Sequence, residues 1–381
     1  MKPAWARMRE WSLGHLARPS TGRQFVPQVD GLRFVAIVAV ILYHMQGYVA
    51  DALGQAHAPT FLHRLLAQGY FGVPLFFALS GYIISAAFLG PRPPTFRTYM
   101  LRRLTRLEPP YFINLILVFV LKVVVLGVAF RELLPHLFAS LVYLHGAIYG
   151  SQSAVNGVAW SLEVEWQFYL LAPLLLYALP RFGGVGRGLL LWGAIGLGGI
   201  AYLVATQWPT ALQLSILHYF GFFLAGTLVS ASEAHRPRTQ GGMRHDAIGV
   251  LALVLIVFVL MAAPSMQVVL PALTAVFLFA VLRGPMCKRM LGWWPVHCMG
   301  AMCYSIYLYH FFVVSLVGKG IGSLIGWPVA PDWALLLMAA AGLPVVLAAS
   351  AVPYLLIERP FMAWRPGRNR LADAFFQRNS V

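Results

Sequence analysis

Residues 30–45 read DGLRFVAIVAVILYHM, an apolar run with an arginine, Arg33, near its start and a histidine, His44, near its end. Because a helix turns by about 100° per residue, the two side chains share one face and lie about 16 Å apart along the axis. Ionisable side chains inside a membrane are energetically costly and by default indicate a functional site. The stretch therefore predicts a transmembrane helix with a functional polar face.

The composition extends this interpretation to the whole chain. Hydrophobic residues make up 60% and charged residues 10% of the 381 residues, whereas soluble domains carry about 25% charged residues. About ten stretches are long and apolar enough to cross a membrane as helices. They lie near 32–50, 68–89, 109–129, 160–179, 188–205, 214–231, 246–263, 266–283, 300–318 and 333–357. We therefore predict an all-α fold, a polytopic membrane helix bundle of about ten transmembrane helices.

One further apolar segment, residues 134–149, is too short to span a membrane. It also contains Pro135, His136 and His145, which a membrane-spanning helix rarely tolerates. We predict an interfacial or re-entrant segment.

The basic residues predict the orientation of the helices. The connections between consecutive spans are counted from the N-terminus. Arg33 and Lys122 lie within spans, and Arg64, Arg131 and Lys319 lie in odd-numbered connections. All other Lys and Arg residues fall in the N-terminal segment, the even-numbered connections and the C-terminal tail. Because cytoplasmic loops are enriched in Lys and Arg, both termini are predicted to be cytoplasmic.

This orientation divides the chain into three parts: a basic N-terminal segment at 1–24, a membrane domain at 25–361 and a basic tail at 362–381. The net charge of +16 is explained by this topology, so no nucleic-acid partner is predicted.

Six motifs follow one another along the chain. They are DGLR with Arg33 and His44, GYFGVPLFFALSGYII at 69–84, RRLTRLEPPY at 102–111, WSLEVEWQFY at 160–169, YSIYLYH at 304–310 and IERPF at 357–361. In these motifs and their order the chain resembles the acyltransferase-3 family of integral membrane acyltransferases. The resemblance covers nearly all of the chain and implies that residues 25–361 are a membrane acyltransferase domain.

Two residues are the predicted catalytic groups. Acyl transfer to a hydroxyl needs a proton acceptor within hydrogen-bond reach, and the position of His44, together with the resemblance, assigns this role to it. His44 would remove the proton from the acceptor hydroxyl or would briefly carry the acyl group; the alternative is a structural histidine. Glu165 would bind acceptor hydroxyls, orient His44 or take part in acid–base catalysis. Alternatively, it pairs with Arg64 or Arg131 to stabilise the fold. Glu163 lies roughly 200° from Glu165 around the helix, so the two carboxylates cannot share one site.

Three arginines are predicted to bind the acyl-CoA donor. Arg33 would hold donor phosphates with its forked guanidinium group; the alternative is an interface anchor. Arg103 and Arg106 share a helix face, and the resemblance implies that they bind the anionic nucleotide of CoA. The alternative for this pair is the cytoplasmic enrichment of positive charge.

The predicted framework of the site consists of Asp30, Ser80, Trp160, Tyr169, Tyr307 and His310. Ser80 is not in a GxSxG elbow, and with Gly81 it is predicted to allow close helix packing. Ser80 is expected about 18 Å and Glu165 about 7 Å from the outer face. His310 is expected at the depth of His44, where it either packs or supports the site.

The predicted function is that of a membrane-embedded O-acyltransferase. An acyl group, acetyl by preference, would pass from cytoplasmic acyl-CoA to a hydroxyl of a surface or lipid-linked carbohydrate in the bacterial inner membrane. The expected partners are acyl-CoA, the carbohydrate acceptor and the lipid bilayer. No tightly bound cofactor and no metal site are expected. The three cysteines do not suggest a disulfide framework, and Cys298 and Cys303 are expected to pack. The alternative is a transporter or flippase, although no internal repeat is visible.

Overall fold

The computed structural model describes residues 3–19, 26–54, 59–234, 241–327 and 330–363. All regular structure in these ranges is helical. The predicted N-terminal segment is described in part, and the predicted tail at 362–381 lies outside the described residues apart from its first two positions. The all-α prediction is therefore confirmed.

The α-helices follow one another through the chain with short connections. In order they are α1 Ala4–His15, α2 Pro27–Leu53, α3 Phe61–Ala67, α4 Gly72–Phe88, α5 Phe96–Val124, α6 Phe130–Leu141, α7 His145–Tyr149, α8 Trp160–Ala178, α9 Gly184–Val204, α10 Thr210–Gln213, α11 Ile216–Glu233, α12 Met243–Ala262, α13 Leu270–Arg283, α14 Pro285–Leu291, α15 Trp294–Ala301, α16 Cys303–Leu324, α17 Pro331–Pro353 and α18 Arg359–Ala363.

Within the described ranges, ten helical stretches are long and apolar enough to span a membrane. They are Pro27–Leu53, Phe61–Phe88, Phe96–Val124, Gly157–Arg181, Gly184–Gln207, Thr210–Glu233, Met243–Ala262, Pro264–Arg283, Cys303–Leu324 and Pro331–Ala363. This number confirms the predicted bundle.

The predicted start of the third span was wrong. A proline pair usually marks the first turn of a helix, yet Pro109 and Pro110 lie inside α5, which begins at Phe96. Without an N–H, the two prolines cannot bond the carbonyls of Thr105 and Arg106. The basic motif is therefore part of the same helix as the third span.

Helix α2 lies at the centre of the packing that forms the site. It packs against α4, α15, α16 and α17. At Gly300 on α15 an added Cβ would lie 1.7 Å from the Asp30 carbonyl oxygen, so only glycine permits this approach. The close packing holds the first turns of α2 and the start of α16 together.

The segment that was predicted to be re-entrant folds back between α5 and α8. The Tyr111 hydroxyl on α5 donates to the Ser140 carbonyl at 2.9 Å. Glu163 on α8 accepts a hydrogen bond from the Gly146 backbone N–H at 2.8 Å. Both partners belong to spanning helices, so α6 and α7 pack against the bundle. Neither is among the stretches long enough to cross a membrane, which agrees with the prediction that this segment is not a span. One carboxylate oxygen of Glu163 is therefore occupied by this backbone hydrogen bond.

Candidate active site inside the helix bundle

The first part of the site is an ion cluster at the start of α2. Asp30 accepts hydrogen bonds from Arg33, one turn later, and from Arg18, which precedes the helix; both lie at 2.8 Å. Asp30 and Arg33 are buried. One carboxylate therefore holds two guanidinium groups, which leaves net positive charge at this end of the bundle.

Two more arginines reach the same place from α5. Arg106 lies close enough to Arg18, Arg33 and Arg103 to be repelled by each of them. The Arg103 guanidinium lies 5.3 Å from the ring centre of Tyr169. Neither Arg103 nor Arg106 forms a salt bridge with a described carboxylate, and Arg106 Nε is buried without a hydrogen-bond partner. We call these four arginines the arginine cluster.

A second buried carboxylate, Glu358, lies beside the arginine cluster. It belongs to a π-helical turn, Tyr354–Glu358, that follows α17. Glu358 accepts hydrogen bonds from the backbone N–H and the hydroxyl of Ser305, at 3.0 and 2.6 Å. It is fully buried and also interacts electrostatically with Arg106 and Arg18. The IERPF motif therefore supplies a counter-charge to the cluster.

Glu165 lies further along the bundle. It accepts a hydrogen bond from the hydroxyl of Ser80 on α4 and interacts electrostatically with Arg33 and Tyr169. The depths predicted for Ser80 and Glu165, about 18 and about 7 Å from the outer face, cannot both be right, because the hydrogen bond between the two side chains requires them to lie at one depth.

Tyr307 on α16 joins Glu165 to the next part of the site. Its hydroxyl lies 2.6 Å from the Ser161 hydroxyl and donates to the Val158 carbonyl. It also interacts electrostatically with Glu165. The predicted framework residues Tyr169 and Tyr307 are both buried, so they line the interior of the bundle.

The far part of the site is a pair of imidazoles. The rings of His44 on α2 and His310 on α16 have centres 5.1 Å apart. His310 is fully buried, and its Nδ1 lies 2.7 Å from the Tyr307 carbonyl oxygen. A carbonyl only accepts hydrogen bonds, so Nδ1 of the neutral ring carries the proton and Nε2 is an acceptor. Nε2 has no hydrogen-bond partner among the described residues.

These groups follow one another through the bundle, and we call them the polar path. The order is the arginine cluster, then Glu165 with Ser80, then Tyr307, then His44 and His310; electrostatic interactions link the first three parts, and ring contacts with His310 link the last. Such a path can hold an anion at one end and accept a proton at the other. Trp160 lies outside this order; its ring packs 5.5 Å from that of Tyr219 on α11. No group of three or more metal-ligating side chains occurs in the described part of the chain.

Two residues of the site were not predicted from the sequence. Arg18 stands in a polar stretch and was counted only as cytoplasmic charge, because nothing in the sequence shows that it folds back onto Asp30. Glu358 was quoted within a motif, but its burial beside Arg106 depends on contact between α5 and the turn after α17. An acid directly after the predicted last span was the available signal for Glu358.

The fold and the site define a polytopic helical membrane protein with charged and titratable side chains gathered inside its bundle. Residues 26–355 match the family model described as an acyltransferase domain. The chain belongs to this acyltransferase family.

Three bacterial relatives illustrate the similarity. The chain is 26% identical over 333 residues to the peptidoglycan O-acetyltransferase OatA of Listeria monocytogenes, covering 77% of this chain and 50% of that protein. It is 26% identical over 356 residues to a putative peptidoglycan O-acetyltransferase, YrhL, of Bacillus subtilis, covering 80% and 51%. It is 23% identical over 330 residues to the O-acetyltransferase OatA of Staphylococcus aureus, covering 78% and 52%. The chain thus spans about half the length of these relatives, and no solved structure matches it.

Proposed function

We propose that the protein is a bacterial inner-membrane O-acetyltransferase that moves an acetyl group from cytoplasmic acetyl-CoA to a hydroxyl of a cell-surface glycan. The observation that carries this proposal is the polar path from the arginine cluster to the histidine pair. The names of the relatives, which specify O-acetyl transfer and in two cases peptidoglycan, support both the reaction and the class of acceptor.

The donor would bind at the arginine cluster. CoA carries several phosphates, and guanidinium groups bind phosphate through paired, charge-assisted hydrogen bonds. Neither Arg103 nor Arg106 forms a salt bridge with a described carboxylate, so a bound anion would relieve the repulsion of Arg106 by Arg18, Arg33 and Arg103. This requires the arginine end of the bundle to face the cytoplasm, as the distribution of basic residues predicts.

The acyl end of the donor would extend along the path toward the histidine pair. Arg33 and His44 are separated by about 16 Å along α2, a distance that the extended pantetheine arm of CoA bridges. The buried Tyr307 hydroxyl and the half-buried Glu165 carboxylate line the intervening region. The thioester would thus reach the imidazoles while the nucleotide stays at the arginine cluster.

His44 would act as the general base. The acceptor hydroxyl oxygen attacks the thioester carbonyl carbon, a new C–O bond forms, and the C–S bond breaks. The hydroxyl proton passes to His44 and then to the departing CoA thiolate, so atoms and charge balance. His310 would orient the His44 ring through its free Nε2, and Glu165 would position Ser80 and the donor beside Arg33.

The test uses the purified full chain in detergent micelles with acetyl-CoA and chitotetraose, a tetramer of N-acetylglucosamine. We expect thioester consumption that depends on the glycan, together with acetyl ester on the sugar detected by mass spectrometry. His44→Ala should abolish both signals. Phe311→Leu should keep them, because Phe311 contacts the same histidine ring at 5.1 Å without supplying a nitrogen. Parental activity in His44→Ala would refute the assignment of the base.

A further inference from the structure

Next to the histidine pair lies a cluster of polar aromatic side chains that have no role in the proposed acetyl transfer. Four of its members are tyrosines and one is a tryptophan: Tyr43, Tyr70, Tyr202, Tyr219 and Trp160. They come from α2, from the turn before α4, from α9, from α11 and from the start of α8. We call this group the aromatic cluster.

The members of the aromatic cluster touch one another across helix boundaries. The ring centres of Tyr43 and Tyr70 lie 6.1 Å apart, as do those of Tyr202 and Tyr219. Tyr70 interacts with Tyr202 and lies close enough to Tyr219 to interact electrostatically. Trp160 packs on Tyr219 at 5.5 Å. Five side chains from distant parts of the sequence therefore face one region of the bundle.

The aromatic cluster is continuous with the histidine pair on two sides. Tyr43 precedes His44 and its ring lies 4.9 Å from the histidine ring. Tyr219 interacts electrostatically with Tyr307, whose ring lies 5.8 Å from His310. The cluster and the two histidines thus surround a common region. It lies at the depth of the histidine pair, because Tyr43 is the residue next to His44 on α2.

Membrane proteins often carry tyrosine and tryptophan in a belt at the lipid interface, but this cluster differs from such a belt. Tyr202 is 6% exposed, and the other four members are half-buried and in contact with each other. An ordinary apolar core would also not concentrate phenol and indole groups, since a buried polar tip needs a partner. The hydroxyls of Tyr43 and Tyr219 and the indole N–H of Trp160 bond no acceptor among the described residues.

We infer that the aromatic cluster is the acceptor subsite and that it binds one pyranose ring of an N-acetylhexosamine glycan. A pyranose presents C–H groups on its faces and hydroxyls around its edge, which match aromatic rings that carry polar tips. The subsite would hold a sugar hydroxyl against His44, opposite the donor. This inference rests on the proposed function, because it assigns the acceptor of the same reaction.

The experiment measures glycan binding without chemistry. Chitotetraose is titrated, in the absence of acetyl-CoA, into the purified full chain and into Tyr219→Leu, Trp160→Leu and Trp192→Leu, with calorimetry as readout. Trp192 is the matched control because it lies on α9 with 45% of its surface exposed. Loss of one aromatic face should weaken binding about tenfold in the two cluster variants, and the control should bind like the parent.

Two further measurements distinguish the specific loss of the glycan subsite from misfolding of the variant. They also distinguish failure of this inference from failure of the proposed reaction. Tyr219→Phe keeps the ring and should lose less affinity than Tyr219→Leu, and all variants should bind acetyl-CoA as the parent does. Parental glycan affinity in both cluster variants, or no binding of chitotetraose by the parent, overturns the inference. If the cluster variants lose glycan binding but the parent transfers no acetyl group, the subsite stands and the proposed reaction falls.

Discussion

The imidazole rings of His44 and His310 lie 5.1 Å apart although they belong to the first and the ninth membrane-spanning helices. The proton on Nδ1 of His310 is fixed by the Tyr307 carbonyl, so its free Nε2 can only accept a hydrogen bond while the ring is neutral. The two histidines therefore have different tasks, with His44 as the proposed base and His310 as its positioning residue.

This division of tasks predicts the behaviour of a double variant. His310→Ala should lower kcat while leaving the KM for acetyl-CoA unchanged, because the donor phosphates bind at the other end of the path. In a His44→Ala background the same change should have little further effect, since groups that act as a unit are not additive. Steady-state kinetics of the two single variants and the double variant provide the measurement. Independent, multiplicative losses would show that His310 acts apart from His44.

Donor affinity should depend on Arg106 and not on its neighbour Arg102. Arg106→Gln removes a guanidinium without a described carboxylate partner, so binding of acetyl-CoA should weaken by about 1.5–3 kcal/mol. Arg102→Gln removes the same charge from an exposed side chain and should have little effect. Equilibrium binding of acetyl-CoA to the detergent-solubilised variants tests the difference. Equal losses in both would mean that only overall charge matters.

Ser80 is predicted to support Glu165 and not to act as a nucleophile. Ser80→Ala removes one hydrogen bond to the carboxylate, which should cost about 1.5–3 kcal/mol of stability and leave turnover within a few-fold of the parent. Glu165→Gln should lower turnover far more, because it also removes the charge beside Arg33. Acetyl transfer and thermal unfolding of the two variants are compared. Complete inactivity of a folded Ser80→Ala protein would indicate instead that Ser80 acts as a nucleophile.

The predicted orientation can be tested with single cysteines. In a variant in which Cys287, Cys298 and Cys303 are replaced by alanine, cysteine is introduced at Arg92 or at Ser151, which are both exposed. An impermeant maleimide applied to intact spheroplasts should label Ser151→Cys and spare Arg92→Cys. Labelling of Arg92→Cys from outside would reverse the bundle and place the arginine cluster on the side without CoA.

The folded-back segment should loosen in acid. Burial lowers the pKa of His145 from its usual 6.5, and the neighbouring His136 also lowers it, whereas the Ser151 carbonyl raises it. A histidine with a depressed pKa in the folded state stabilises that state above pH 6.5, and this stabilisation is lost as the pH falls below that value. Hydrogen exchange of α6 and α7 should therefore rise below about pH 6.5. His145→Gln should remove this dependence, and an unchanged profile in the variant would exclude His145 as its cause.

The number of helices was predictable because hydropathy responds to length and composition alone. The contacts that build the site were not predictable in the same way. Pro109 and Pro110 look like a helix start, yet packing of α5 tolerates them inside the helix. The contact between Ser80 and Glu165 joins two helices that are distant in sequence, which no local pattern reports.

The relative positions of two site residues could be predicted where one helix carries both of them. Arg33 and His44 share a face of α2 by simple periodicity, and the similar depth of His310 followed from counting residues along α16. Arg18 and Glu358 required knowledge of which distant segments meet. Burial of an acid beside several arginines is a property of the assembled bundle, so it emerges only from the structure.

The arginine cluster has a consequence for how the enzyme's affinity is measured. Four guanidinium groups face three carboxylates, those of Asp30, Glu165 and Glu358, so the resting bundle attracts a counter-ion from its surroundings. Acetyl-CoA would then have to displace whichever small anion occupies the site. Its apparent KM should increase with the phosphate or sulfate concentration of the buffer and should be lowest in a buffer of large, weakly binding anions.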